Sequence, residues 1–502
     1  MNLNNIQSLP FSLPEGLLAL GVVGLFMLEL VVKRKAVLGE LALVITAAVT
    51  CLVAMQSGGQ EGLLFSGMVA LDGFSIFFKL LLGLAGFGAV WMSLGSDEMR
   101  DEHPGEYYAL LLSVTLGMFY MASATNMLMA YLALEFVSQV SYVLTGFIRG
   151  SRRGAEAALK YLVYGGVASG AMLYGMSLVY GLTGSLDYAV ISQVMAGLGS
   201  GGVDGAVVAG AQPVIYLALV LVLAGVGYKI AMVPFHMWSP DVYEGAPLPV
   251  TALLSVGSKA AGFAMMIRFF YPAMSAYDGD GNWLTAAGVD WQSLLVVGSM
   301  VTMTLGNVAA LRQDNIKRLL AYSSIAHAGY MLMGFVVMAD DGLRAMMFYM
   351  VVYYIMNLGA FTVLLMVLNQ SGREDIEGFK GLAWRGGALP AAAMLIFLLS
   401  LAGMPPFAGF IGKFYLFAAI IRQEMWVLAV VGGLNSVVSL YYYARIVRSM
   451  YLDQPAEDAP EFVADKHNGV LVGVLAVATL VFGVWWRPVV ALADRSLSFF
   501  TG

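Results

Sequence analysis

Charge is what this sequence has least of: only 12% of its 502 residues are Asp, Glu, Lys or Arg, against roughly 25% in a soluble globular chain. A water-facing surface cannot be built from so few charges over that length, so lipid is the expected solvent. The net charge of -6 comes with no basic stripe, which argues against a nucleic-acid partner. There is a single cysteine, Cys51, and hence no internal disulfide and no CxxC pair to hold an iron-sulfur cluster or structural zinc. The four histidines, His103, His236, His327 and His467, are too scattered for a helical HxxxH metal face. Any redox chemistry served by this chain is therefore carried elsewhere. The alternating pattern of a membrane β-barrel is also missing, since stretches such as LAVVGGLNSVVSLYYYARIV run on without it. At the amino terminus, the basic KRK follows the first apolar run instead of preceding it, so this run predicts a retained helix and not a signal peptide.

What is abundant is apolar sequence: 60% of the residues are hydrophobic and the mean hydropathy is +0.80. Runs near the ~20 residues needed to cross a bilayer predict an all-α polytopic protein. Fourteen spans fall at 15–32, 36–55, 72–94, 107–124, 126–147, 158–181, 213–239, 248–271, 291–311, 319–339, 343–369, 389–419, 425–449 and 468–486. With the first span entering from outside, seventeen of the 26 Lys and Arg residues, Arg100 among them, fall on the inner side and five on the outer, leaving four lysines inside spans. The positive-inside rule then puts both termini outside. The outer stretch 182–212 is Gly-rich (GLGSGGVDGAVVAG), but without a preceding strand or a following Lys-Ser/Thr pair it reads as a flexible linker, not a phosphate loop.

A charge near the bilayer centre costs about 2.5–3.5 kcal/mol on insertion scales, so each intramembrane charge needs a reason. Lys79 lies a few residues into its span and can snorkel to the outer interface as an anchor. Glu29 is one turn from KRK and can pair with it. Glu135 has apolar helix on both sides and cannot snorkel, so it needs a cation nearby. Lys229 offers one, and Pro234, five residues later, interrupts that helix and frees backbone groups for water or polar neighbours. Lys259 follows Pro249 by ten residues, or ~15 Å of helix, and its flanking Ser255, Gly257, Ser258, Ala260 and Ala261 suit close packing, with the serines to hold it. Lys413 follows a second break at Pro405 and Pro406. The two broken spans run in opposite senses, as in an inverted repeat. His327 lies mid-span among Tyr322, Ser323, Ser324 and Tyr330, either as a hydrogen-bonded core histidine or as a proton relay. His236, between Pro234 and Pro240, fits either a relay near the inner mouth or a cap beside Asp241. Burial disfavours a lysine's charge and a nearby carboxylate restores it, so shifting one partner toggles protonation. Three such lysines predict an ion-conducting, proton-translocating chain.

Four stretches carry a family resemblance: VPFHMWSPDVYEGAPLPVTALLSVGSK, KYLVYGGVASGAMLYGMSLVYGLTGS, RQDNIKRLLAYSSIAHAGYMLMG and LAGMPPFAGFIGKFYLF. They are similar to subunit N of respiratory complex I, the proton-translocating NADH-quinone oxidoreductase, within the antiporter-like subunit family, and the likeness spans essentially the whole chain. The resemblance implies two inverted five-helix repeats, at 107–271 and 291–449, joined by an outer loop at 272–290. An N-terminal three-helix segment (1–106) and a C-terminal helix and tail (450–502) would flank them. Matched residue by residue, Glu135 and Lys229 resemble the family's coupled acid-lysine pair, Lys259 its central lysine, Lys413 its lysine on the second broken helix and His327 a histidine on the same axis. Tyr322, Tyr330 and His236 are secondary candidates. Sister subunits read differently after the first break, and some carry glutamate where Lys413 stands. The family further implies that NADH, FMN, iron-sulfur clusters and quinone sit in partner subunits, with no cofactor or metal here. Paralogous antiporter-like membrane-arm subunits would be neighbours, and a bacterial inner membrane the location. The competing expectations are a sodium/proton antiporter subunit without a redox partner and a non-catalytic scaffold whose polar axis is a relic.

Overall fold

The computed structural model describes residues 2–99, 103–199, 205–455 and 461–501, with backbone alone at 199, 205–210, 287 and 498–501. Arg100 and the 200–204 portion of the Gly-rich stretch lie outside these ranges. The first part of the bundle contains α1 (Leu13–Val31), α2 (Ala36–Gln56), α3 (Gly73–Leu94), α4 (Pro104–Ser123), α5 (Met127–Thr145) and α6 (Arg152–Thr183). Then come α7 (Tyr188–Gly199), α8 (Gly205–Ile230), the short α9 (Trp238–Gly245) and α10 (Leu248–Met274). The remainder holds α11 (Trp291–Ala310), α12 (Ile316–Val336), α13 (Asp340–Ser371), α14 (Ala388–Ala402), α15 (Ala408–Arg422), α16 (Trp426–Tyr451), α17 (Lys466–Val484) and α18 (Arg487–Thr501).

Every span expected from hydropathy contains helix, those at 213–239 and 389–419 with a break inside. Among the described residues, twelve helices are long and apolar enough to cross a membrane alone. The other two expected spans are α4, 20 residues long, and the joined pair α14 and α15, 15 residues each. Helix starts are fixed where a side chain accepts an orphan N–H: Asp72 accepts from Ser75 N at 2.7 Å before α3, and Asn126 from Leu128 N at 2.9 Å before α5.

The expectation of plain loops between spans needs three corrections. The stretch expected as a flexible linker from 182 contains α7, and α8 begins well before the expected 213. The connection expected as a loop at 272–290 contains an antiparallel hairpin, β3 (Ser275–Tyr277) with β4 (Trp283–Thr285), matched by β1 (Gly62–Leu64) with β2 (Val69–Leu71) farther up the chain. The C-terminal tail is itself the helix α18, which packs against α3 and α13. Short connections between rigid spans leave backbone groups to satisfy, and hairpin or helix does so locally.

The interior of the bundle is occupied by α10, which carries Lys259, α12, which carries His327, and α13. The most apolar stretches of α10, α12 and α13 are 100%, 94% and 89% buried, whereas those of α1, α2 and α16 are 33% buried and form the periphery. Both expected breaks are present. Helix α8 stops at Ile230, and residues 231–237 turn the chain before α9. At the second break Gly403 closes α14 in the left-handed region, φ 87°, where a side chain would be strained.

Candidate functional site: a row of buried lysines, hydroxyls and one imidazole

Lys229 is fully buried in the last turn of α8. It is not in ion-pair contact with Glu135: its Nζ donates to Ser138 Oγ at 3.1 Å, one turn farther along α5. Glu135 is only part-buried, on a face of α5 that also exposes Leu132 and Phe136. Its Oε2 accepts from Gln139 Nε2 at 3.2 Å, and its Oε1 is buried without a partner. The expected pair thus makes no direct contact, and Lys229 reaches α5 one turn from Glu135, at Ser138. On its other side the Lys229 stem lies against Gly262 of α10, three residues from Lys259.

Lys259 follows a π-helical turn, Leu254–Ser258, inside α10. The serine that holds it is neither of those flanking it: its Nζ donates to Ser324 Oγ of α12 at 2.5 Å. Ser255 instead accepts from Asn357 at 2.8 Å, and Ser258 Oγ has no partner. The extra residue of a π-turn rotates the face of a helix, so neighbours in sequence do not share the lysine's direction.

Ser324 leads along α12 to His327, which stands on the same helical face three residues on. His327 Nδ1 lies 2.6 Å from Tyr349 Oη and Nε2 lies 3.2 Å from Tyr443 Oη, which itself meets Ser323 Oγ at 2.5 Å. Both ring nitrogens are therefore engaged by phenols from α13 and α16. Of the expected local neighbours, Ser323 joins this cluster and Tyr330 approaches ring to ring at 5.9 Å. Tyr322 is part-buried and its hydroxyl makes no hydrogen bond among the described residues, so it stands off the row.

Lys413, on α15, closes the row. Its Nζ donates to Ala402 O at 3.0 Å and to Ser436 Oγ at 3.2 Å, and it lies 4.5 Å from the centre of the Tyr330 ring. Ser436 Oγ in turn donates to Tyr330 Oη at 3.1 Å. Tyr330 thus lies between the lysine and the imidazole, hydrogen-bonded on the lysine's side and in ring contact on the other.

His236 is buried in the turn after α8, its Nδ1 without a partner. It does not act as a cap toward Asp241, whose carboxylate accepts from Lys160 Nζ at 2.7 Å and Arg318 Nη1 at 2.6 Å. Glu244 also pairs with Arg318, at 2.9 Å. Burial opposes ionisation of Asp241, but these cationic hydrogen bonds prevail and hold its carboxyl below the usual carboxylate range.

Lys79 does not snorkel. It is buried and pairs with buried Glu15 of α1 at 2.6 Å, a residue too near the start of its span to stand out in the sequence. Glu29 behaves as expected, pairing with Lys35 at 2.7 Å. Tyr349, Tyr443 and Ser436 were not among the expected site residues. The signal was there in FYMVVYY and YYY, clusters of phenols inside apolar spans whose hydroxyls need partners.

Broken helices around a buried row of cations and hydroxyls define a class: a polytopic, antiporter-like membrane protein. A family model described as NADH:quinone oxidoreductase/Mrp antiporter, TM, matches residues 124–439. NADH-quinone oxidoreductase subunit N of Anaeromyxobacter sp. (strain Fw109-5) is 46% identical over 99% of this chain and 98% of its own length. The subunit N of Chlorobium chlorochromatii (strain CaD3) is 43% identical over 98% and 95%. A chain in the structure of respiratory complex I from Thermus thermophilus with bound Aureothin is 33% identical, covering 96% of this chain and 99% of that one with a TM-score of 0.78. One in the structure of the Mrp complex from Dietzia sp. DQ12-45-1b superposes with a TM-score of 0.82 over 98% of each chain at 21% identity, a likeness of fold. The chain belongs to the NADH-quinone oxidoreductase subunit N family.

Proposed function

We propose that this chain is a proton-translocating membrane-arm subunit of an NADH-quinone oxidoreductase, coupling quinone reduction in partner subunits to proton movement along the Lys229, Lys259, His327 and Lys413 row. The observation that carries the reading is the succession of buried polar groups through the bundle. From Lys259 to Lys413 the polar groups follow one another through Ser324, His327 and Tyr330 to Ser436. Ser138 and the approach of Gly262 extend it to Lys229.

Each element has a chemical task. A lysine enclosed by apolar helix pays for its charge by desolvation, and a charge arriving on its neighbour adds Coulomb repulsion that little solvent screens. A proton on Lys259 therefore disfavours one on Lys229 or Lys413, and loading one end expels charge at the other. Glu135, part-buried on the lateral face, supplies the opposite sign: its ionised form favours charge on Lys229. His327 passes a proton by taking it at one ring nitrogen and releasing it at the other, between two phenols that can donate or accept.

The reading places two inverted five-helix repeats at 107–271 and 291–449, with both termini on the outer side of a bacterial inner membrane. It leaves NADH, FMN, iron-sulfur clusters and the quinone headgroup to partner subunits. Paralogous antiporter-like subunits are the expected lateral neighbours. The test is Lys229→Ala and Glu135→Ala in the assembled complex reconstituted into vesicles. Both should lower proton pumping and the electron transfer coupled to it. An unchanged proton-to-electron ratio and rate in both variants would overturn the reading. Sodium-dependent pH changes without a quinone reductase would point to antiport instead.

A further inference from the structure

Beside Lys229 lie two hydroxyls that no step of the row uses. Tyr142 stands one turn beyond Ser138 on α5, and Tyr228 immediately precedes Lys229 on α8. Both rings are buried, 6% and 2% exposed. Their oxygens converge on one point of α6: a methyl group on Gly165 would overlap Tyr142 Oη and come within 2.7 Å of Tyr228 Oη. Elsewhere on α6 the missing side chain serves backbone approach, since a methyl on Gly175 would meet Ala218 O at 2.6 Å. At Gly165 the space is filled by phenol oxygens instead.

The Tyr228 hydroxyl meets the backbone of α6 one residue from Lys160. Tyr228 Oη donates to Tyr161 O at 3.0 Å, and Tyr161 is followed back along α6 by Lys160, which holds Asp241. Trp238 stacks on Tyr161 with ring centres 4.5 Å apart and donates its indole N–H to Tyr228 O at 2.9 Å, fixing the end of α8 against α6. Lys160 and Asp241 keep 38% and 31% of their side chains exposed, so that end meets solvent.

We propose that Tyr142 and Tyr228 are the relay by which Lys229 exchanges its proton with the Lys160/Asp241 end of the bundle, and that Gly165 reserves the space where their oxygens meet. The inference rests on the reading of Lys229 as a proton carrier. In the relay, a hydronium ion admitted from the solvent-facing Lys160/Asp241 end gives a proton to Tyr228 Oη and leaves as water, while the Tyr228 O–H turns away from Tyr161 O and gives its own proton to Tyr142 Oη. Tyr142 passes its proton toward Ser138 and Lys229, and rotation of each C–O bond restores the starting state. Each phenol ends neutral, and the net result is one proton gained by Lys229.

The test uses the assembled complex in vesicles, with the Tyr142→Phe/Tyr228→Phe double variant, Gly165→Ala and Lys229→Ala. Removing both hydroxyls should lower proton pumping and its coupled electron transfer several-fold and change the solvent deuterium isotope effect, a readout that packing alone would not move. Gly165→Ala should act in the same direction. Wild-type rates and isotope effect in the double variant, with Lys229→Ala impaired, would overturn the relay and leave the proposed function standing. Wild-type pumping in Lys229→Ala would overturn both. Should the double variant fail to assemble, Tyr142→Phe, which keeps the ring, decides on the same two readouts.

Discussion

The two helix breaks solve one problem in different ways. At the first, the chain's own side chains secure it: Trp238 donates to Tyr228 O, and beyond the turn Asp241 and Glu244 of α9 are gripped by Lys160 and Arg318. Lys229 precedes this break and is free of structural duty toward it, donating instead to Ser138. At the second, no ion pair reaches residues 403–407 among the described residues, and Met404, Pro405 and Pro406 are exposed. There Lys413 itself satisfies the carbonyl left open at Ala402. One lysine only carries charge. The other carries charge and holds its helix break together.

Substituting each lysine with methionine tests that division most sharply. Lys413→Met should abolish most proton pumping and also destabilise the chain by about 1–3 kcal/mol, the cost of an unsatisfied buried carbonyl. Lys229→Met should cost as much pumping but leave stability unchanged or raised, since it replaces a buried charge by an apolar group of similar length. Pumping assays and thermal unfolding of the purified complex read the two effects. Equal destabilisation by both would break the comparison.

Trp238→Phe comes next in size. It keeps an aromatic ring against Tyr161 but removes the donor to Tyr228 O, so a loss of about 1–3 kcal/mol is expected at the first break. Pumping should fall less than in Lys229→Met. A variant as stable as wild type would show that the ion pairs of α9 hold the break without the indole.

The reach of the sequence follows the same divide. Spans, breaks and the costly cations were legible because each is a local signal: apolar length, proline position, or a charge with no neighbour in the chain to explain it. Partners were not, because they come from other helices. Ser138, Ser324, Tyr349, Tyr443 and Ser436 meet their lysine or histidine across the bundle, at separations the sequence does not encode. Lys259 shows the limit best. Its flanking serines were the obvious holders, yet the π-turn directs it to a serine on α12. Lys79 shows the reverse: nearness to a span end implied snorkelling, and only packing reveals its pairing with Glu15.

Ser436→Ala is a smaller change. It removes the hydroxyl between Lys413 and Tyr330 while leaving the bond from Lys413 to Ala402 O. Pumping should fall a few-fold with stability within about 1 kcal/mol of wild type. A stability loss matching Lys413→Met would mean the break depends on Ser436 as well.

The smallest effect separates the breaks by pH. Asp241 ionises below its ordinary value in the folded chain because Lys160 and Arg318 hold its charge. Its contribution is therefore complete above the usual carboxylate pKa of about 3.9 and declines as pH falls through the lowered folded value. Asp241→Asn should lower the thermal midpoint modestly and evenly from neutral pH to about pH 5, by no more than about 1 kcal/mol because the pairs are part-exposed. The difference from wild type should shrink below about pH 4. Residues 403–407 contain no acid, so the deficit of Lys413→Met should stay flat over the same range. A deficit that shrinks alike in both variants would mean that acid is loosening the bundle as a whole, and the charge-held first break would lose its distinction from the second.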